Sequence, residues 1–338
     1  MNQTERLVQR HLLFPAFSLV TRCERFQMSI HYLVTGGAGF IGSHLVRRLV
    51  AEGAGVRVVD NLSTGDRSRL EDVRGSIEFM KGDLADERVS IDAVKGIDGV
   101  FHQAAIPSVQ RSVRDPIATN RANVTATLNL LESCRQAKIR RVIYAASSSA
   151  YGNTEVLPKT EAMCPNPLSP YAIQKLVGEH YCKLYNDLYG LETVSLRYFN
   201  VFGPGQDPNS EYSAVIPRFI SALLSDDPIM VYGDGEQSRD FTYVENIVEA
   251  NIAAMRVYDA PGKVFNIGCG EKVSLNRLIK VLEKILRVRA TLHYGNPRPG
   301  DVRHSMADIS FAKSVLGYTP KVFVEEGLTR TVHEWTEA

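Results

Sequence analysis

Tyr171 and Lys175 stand four residues apart in the run Tyr-Ala-Ile-Gln-Lys, so on a helix both side chains face the same way. A free phenol has a pKa of about 10 and is a poor base at neutral pH. A neighbouring ammonium stabilises the phenolate and brings that value toward the working range. Such a pair suits removal of a proton from a substrate hydroxyl. Ser147, Ser148 and Ser149 come at the end of the preceding predicted strand, where a hydroxyl can share a hydrogen bond with the oxygen that Tyr171 deprotonates. Taken alone, Tyr-x-x-x-Lys is most often a solvated helix pair. Its weight comes from following the fifth strand of a dinucleotide-binding pattern.

That pattern begins at Thr35, where the chain reads TGGAGFIG. The glycines fit two spacings, GxGxxG through Gly37, Gly39 and Gly42, or GxxGxxG through Gly36, Gly39 and Gly42. A side chain at these positions would keep a pyrophosphate from the backbone N–H groups, and the helix opened by Phe40 and Ile41 adds partial positive charge. Asp60 ends the second predicted strand, about 20 residues on, where a carboxylate binds the adenosine ribose diol. It would repel a 2′-phosphate, so NAD is favoured over NADP, although Arg57 and Arg67 are close in sequence. Asp60 also begins a run with good turn chemistry, which brings Asn61, Ser63, Thr64 and Gly65 into the candidate cofactor set. Asp83 and Leu84 after the third strand are placed for the adenine edge, and Gln103, Ala104 and Ala105 follow the fourth.

These residues need a scaffold of alternating strands and helices. Strands are expected at 32–35, 56–59, 77–80, 100–102, 141–145, 193–197 and 264–267. Helices are expected at 40–52, 122–137, 171–189, 215–224 and 274–286, the last capped by Ser274. The fold class is α/β, a doubly wound parallel sheet with a smaller C-terminal substrate domain. Residues 1–28 read as an N-terminal extension, with Met28 an alternative start. Residues 29–200 read as the dinucleotide-binding domain, with a return of 240–268, and 201–338 as the substrate domain. A run of turn formers at 203–209 marks the change.

Composition removes other classes. The 338 residues carry a net charge of +1, which leaves no electrostatic case for nucleic-acid binding. No apolar run approaches a membrane span. Five cysteines (Cys23, Cys134, Cys164, Cys182, Cys269) without CxxC spacing make neither a paired framework nor a zinc site, so no metal is expected and free thiols point to the cytoplasm.

TGGAGFIG, Asp60-Asn61, the serine run before Tyr151-Gly152 and Tyr171-x-x-x-Lys175 together resemble the extended short-chain dehydrogenase/reductases, and within them the nucleotide-sugar 4-epimerases, particularly those accepting UDP-N-acetylhexosamines. The resemblance runs from about residue 29 to the C-terminus. It implies tightly held NAD, a UDP-sugar between the two domains, and a homodimer through the 122–137 and 171–189 helices. It places the catalytic Ser/Thr on Ser147, sugar contacts on Ser148 and Ser149, cofactor-side positions on Asn123 and Tyr198, and a diphosphate contact on Asn200. Arg239, Arg298 and Asp301 match the uridine-diphosphate anchors, an Arg fork being suited to phosphate. Related 4,6-dehydratases carry Asp-Glu where this chain has Ser148 and Ser149, which argues against dehydration. Ser305 falls on the sugar-pocket gate. A serine there leaves space for an N-acetyl group without requiring one. The implied reaction is redox-neutral C4 epimerisation through a 4-keto sugar, in a pathway such as surface-polysaccharide synthesis. A UDP-sugar oxidoreductase and a UDP-glucuronate-type epimerase are the enzyme alternatives. A noncatalytic dinucleotide-binding protein is disfavoured by the presence of Ser147, Tyr171 and Lys175 together.

Overall fold

The central predicted strands are continuous apolar runs rather than alternating ones, the pattern of a sheet covered on both faces. The computed structural model, which describes residues 30–206, 215–296 and 302–337, contains that sheet. In chain order the elements are β1 (His31–Thr35), α1 (Phe40–Ala51), β2 (Gly55–Asp60), β3 (Ile77–Lys81), α2 (Glu87–Ala93), β4 (Gly99–His102), α3 (Val109–Arg114), α4 (Pro116–Asn120), α5 (Ala126–Gln136), β5 (Arg141–Ser147), α6 (Pro170–Tyr189) and β6 (Glu192–Tyr198). They continue with β7 (Val201–Phe202), α7 (Val215–Leu224), β8 (Ile229–Tyr232), β9 (Ser238–Arg239), β10 (Thr242–Tyr243), α8 (Val244–Arg256), β11 (Val264–Ile267), β12 (Val273–Ser274), α9 (Leu275–Leu286), β13 (Leu292–Gly295), α10 (Ser310–Leu316) and α11 (Val324–Glu337).

The sheet has seven strands in the order β11-β6-β5-β4-β1-β2-β3, every pair parallel. From β1 the chain steps outward to β2 and β3, then returns to β4 on the other side. This reversal leaves a crevice beyond the carboxyl ends of β1 and β4, where open α/β sheets bind ligands. Adjacent strand residues point to opposite faces: Leu33 joins the core with Leu130, Leu131 and Cys182, and Val34 the core with Leu45, Val46 and Ile247. A third apolar core, around Phe219, Ile220, Val231, Leu278, Leu282 and Leu328, lies between α7, α9, α11 and the short β8–β13 pair.

Two differences from the sequence expectation affect the site. β5 runs two residues past the expected end, to Ser147, which pairs in register with Tyr198, so the candidate hydroxyl is carried by the last residue of the strand itself. The helix expected at 122 starts instead at Pro116, with the Asp115 side chain accepting from Ala118 N at 3.0 Å, and passes through a wider π turn at Arg121–Thr125 before α5. A proline is favoured at the first position of a helix, where its missing N–H would have no partner. The same chemistry starts α6: Ser169 accepts from Ala172 N at 3.2 Å and Pro170 takes the first position. Gly190, in the left-handed conformation, ends α6 after 20 residues. The first 29 residues, including Cys23 and the expected extension, lie outside the described residues, as do 207–214 and 297–301.

Candidate active site

A cavity of about 930 Å³ opens at the carboxyl ends of β1, β4, β5 and β6, at the top of the range for small-molecule sites. One end is the glycine turn. Gly36 has φ +66°, and a Cβ on it would lie 2.7 Å from the backbone of Ala104. A Cβ on Gly42 would lie 2.2 Å from the Gly36 carbonyl oxygen. Gly36, Gly39 and Gly42 line the cavity, whereas Gly37 packs against Val58, so the GxxGxxG spacing is the one that faces it. α1 starts here without a side-chain cap, and Phe40 and Ile41 are on the wall. Its N-terminal end therefore offers backbone N–H groups and partial positive charge to an anion.

Asp60 lines the same end. Its carboxylate accepts from Leu62 N at 2.8 Å and Ala38 N at 3.1 Å, and burial still raises its pKa. Arg57 is occupied by Glu78 and the carbonyls of Ala93 and Lys95, and Arg67 lies over the Phe79 ring, 4.8 Å from its centroid. Neither lines the cavity; Arg69, which does, donates to the carbonyls of Ala38 and Gly205. Cradle and carboxylate thus fit an adenine dinucleotide without a 2′-phosphate. Asn61, Ser63, Thr64, Asp83, Leu84, Gln103, Ala104 and Ala105 line the cavity too. Gly65 packs behind, where a Cβ would be 2.9 Å from both Asp60 oxygens. Tyr198 is on the wall, its hydroxyl donating to Gln103 at 3.2 Å and accepting from Asn251 at 2.8 Å.

Asn123 departs from expectation. Its buried side chain accepts from Ile106 N at 2.8 Å and donates to Gln174 at 2.9 Å. It braces the loop after β4 and does not line the cavity, because the π turn directs it inward.

Ser147, Tyr171 and Lys175 meet at the middle of the cavity. Ser147 Oγ accepts from Ser149 Oγ at 2.8 Å and from Ser149 N at 3.2 Å. With both lone pairs used, its own proton is left to give. The Ser147 hydroxyl draws the Tyr171 phenol pKa down, against burial, which raises it on balance. Lys175 is buried, donates to Ala145 O at 2.8 Å and lies 5.0 Å from the Tyr144 ring centroid; burial lowers its pKa to about 8. Burial dominates both groups and moves their values apart, Tyr171 upward and Lys175 down to about 8, so Lys175 gives up its proton before Tyr171 does and does not lower the phenol's own titration; at neutral pH it still carries its charge. One helper was missed in the sequence. Tyr171 is the second residue of α6, where the helix dipole favours a phenolate.

At the other end Ser148, Ser149, Asn200, Arg239 and Ser305 share the wall; Arg298 and Asp301 lie outside the described residues. Arg239 donates to the carbonyls of Ser238 and Arg303 at 3.0 and 3.1 Å. The next residue, Asp240, is fully buried and accepts from the N–H groups of Cys269, Gly270 and Ala307 at 2.8, 3.0 and 3.1 Å. It clamps the segment that carries Ser305 to the strand that carries Arg239, and burial raises its pKa to about 6. Sequence reasoning missed Arg69, Arg111 and Lys159 on the wall as well as this clamp. Only Asp240, adjacent to Arg239, had a local signal. Among the described residues no cluster of three His, Cys, Asp or Glu could hold a metal ion, and no helix is long and apolar enough to cross a membrane.

Comparison with known proteins gives the same assignment. The profile of the NAD dependent epimerase/dehydratase family matches residues 32–268. A putative UDP-glucose 4-epimerase of Methanocaldococcus jannaschii is 40% identical over 306 residues, which cover 89% of this chain and 97% of that one. Among solved structures, the UDP-N-acetylglucosamine 4-epimerase of Methanobrevibacter ruminantium M1, in complex with UDP-N-acetylmuramic acid, has a TM-score of 0.88 and 41% identity over 91% of this chain and 99% of that one. The UDP-glucuronic acid 4-epimerase of Bacillus cereus, in complex with UDP-glucuronic acid and NAD, has a TM-score of 0.85 and 34% identity over 91% and 99%. The chain belongs to the NAD dependent epimerase/dehydratase family, among its NAD-dependent UDP-sugar 4-epimerases.

Proposed function

We propose that the protein interconverts the C4 epimers of UDP-N-acetylhexosamines, and of plain UDP-hexoses as well, without net redox change. The observation that carries this reading is that one cavity brings Ser147, Tyr171 and Lys175 together with the glycine cradle and with a wall containing Arg239 and the small Ser305. Tyr171 takes the proton of the 4-hydroxyl and returns it to either epimer. Ser147 donates toward the shared oxygen and keeps the developing phenolate hydrogen-bonded. Lys175, fixed by the Ala145 carbonyl, supplies positive charge beneath the site. Bound NAD, held by the 36–42 turn and Asp60, supplies the acceptor for the C4 hydride and its return. Arg239 anchors the diphosphate while the sugar turns over. Ser148, Ser149 and Ser305 are short hydroxyl side chains, which suits a pocket that must accept two faces of one ring.

The same reading assigns residues 29–200 with 240–268 to the NAD unit, supported by β11 and α8 packing on the main sheet, and the remainder from 201 to the UDP-sugar unit. It also makes the protein a homodimer through α6. Ile173, Leu184 and Leu188 are exposed on one side of that helix at spacings near multiples of its turn, with Ile117 exposed on neighbouring α4. Light scattering of the purified protein at twice the chain mass is the expected result.

The test of function is incubation with UDP-N-acetylgalactosamine and UDP-galactose separately, with no added nicotinamide, followed by NMR. Both should convert, and Tyr171→Phe should abolish conversion while UDP-sugar binding persists. Conversion of UDP-galactose alone would overturn the reading of Ser305. A net rise in NADH absorbance would indicate an oxidoreductase instead.

A further inference from the structure

Lys159 is a lysine in a place where lysines are seldom found. Only 1% of its surface is exposed, yet it belongs to the cavity wall together with Tyr151, Gly152 and Ser305. Its backbone is pinned: Lys159 N donates to Met306 O at 2.8 Å, Asp308 N donates to Lys159 O at 2.8 Å, and Asn266 Nδ2 donates to Lys159 O at 2.9 Å. The backbone at Lys159 is therefore held opposite Ala307, two residues from Ser305. Its ammonium donates to the Thr154 carbonyl. Among the described residues no ion pair to a carboxylate is formed by it, and burial alone acts on its pKa, lowering it.

A buried ammonium is stable when a carboxylate pairs with it, and a carbonyl oxygen uses one of its three donors. The fold spends a lysine on this wall without supplying the matching acid. Of the other buried cations, Arg197 has a bidentate Glu179 and Arg141 has Glu192 with three carbonyls, whereas Lys175, at the catalytic centre of the same cavity, has like Lys159 one carbonyl and no acid. Resting on the epimerase reading above, we infer that Lys159 is a specificity-determining residue that pairs with a carboxylate carried by the sugar ring, so that acidic UDP-hexoses are substrates of this site. A hexuronate C6 carboxylate and a lactyl ether carboxylate offer the same chemistry from different ring positions.

The experiment compares wild-type protein, Lys159→Met and Lys159→Arg on four sugars, by NMR with NAD present: UDP-glucose, UDP-N-acetylglucosamine, UDP-glucuronate and UDP-N-acetylmuramate. Wild type should epimerise at least one acidic sugar, and the one it takes identifies the ring position. In Lys159→Met the ratio of kcat/KM for that acidic sugar to kcat/KM for its neutral counterpart should fall tenfold or more, mainly through KM, and Lys159→Arg should restore most of it. Thermal melts of both variants control for folding. If neither acidic sugar reacts with wild type or inhibits its turnover of neutral ones, the inference is overturned whatever the variants do. An equal loss on acidic and neutral sugars in Lys159→Met would also overturn it, because that is the signature of a purely structural lysine. Failure of wild type on all four sugars would instead overturn the epimerase reading on which this one rests.

Discussion

Replacing Lys175 by Met tests whether the site sacrifices stability for chemistry. Burial lowers the Lys175 pKa from 10.5 to about 8, which corresponds to about 3 kcal/mol held against the charged form. The Ala145 hydrogen bond and the Tyr144 ring contact work the other way, together contributing about 2 kcal/mol. Methionine is of similar length and carries no charge, so at pH 7 Lys175→Met should lie within about 1 kcal/mol of wild type, on the stable side. The pH dependence follows from linkage. The folded value is below the unfolded one, so between about 8 and 10.5 the unfolded chain holds the extra proton and wild-type stability rises with pH. The variant lacks this rise, so its advantage should shrink or reverse across the window. Catalysis should move in the opposite direction. An ammonium about 6 Å from a phenolate, the spacing of helix neighbours four apart, stabilises it by about 3 kcal/mol at an effective dielectric near 20. Its removal should slow turnover about 100-fold at pH 7. Urea melts followed by circular dichroism at pH 7 to 10, with NMR turnover assays on the same preparations, give both readings. A variant more than 3 kcal/mol less stable than wild type at pH 7, or one whose stability tracks wild type in parallel from pH 8 to 10, would refute the reasoning.

Three other outcomes are expected. Gly42→Ala places a Cβ 2.2 Å from the Gly36 carbonyl, so it should cost about 1–3 kcal/mol in melting experiments and reduce the NAD released on denaturation below one per chain. Ser147→Ala removes the donor to the Tyr171 oxygen and should lower kcat about 100-fold with little change in KM, whereas Ser147→Thr retains activity. The folded pKa of Asp240, about 6, exceeds its ordinary 3.8, so its contribution is complete below about 3.8 and is lost as pH rises to about 6; denaturant melts from pH 4 to 7 should show a fall in stability that is missing in Asp240→Asn.

The parts of this site that were legible in the sequence are those whose chemistry is local. Gly36, Gly39 and Gly42 declare a cradle because strand, turn and helix follow one another within a few residues. Asp60 closes the next strand, and Tyr171 and Lys175 share one helix face. The rest depends on residues distant in the chain. Asn123 looks like a cofactor contact until the π turn carries its amide to Ile106, 17 residues away. Lys159 meets Met306 and Asp240 meets Ala307 only after the C-terminal segment folds back beside the cavity.

The pKa order of Tyr171 and Lys175 illustrates the limit of a motif. Spacing says that the two groups face one way, and from that one expects the ammonium to acidify the phenol. Burial is a property of the whole fold, and it acts on both: it penalises phenolate and ammonium alike, raising one value and lowering the other. The Ser147 hydroxyl and the start of α6 oppose it at Tyr171, and neither is visible in Tyr-x-x-x-Lys. The strand that ends at Ser147 supplies the first, and the Ser169-Pro170 cap that starts α6 one residue before the tyrosine supplies the second. The base is therefore made by where a strand ends and a helix begins, and the motif marks the place where those two ends meet.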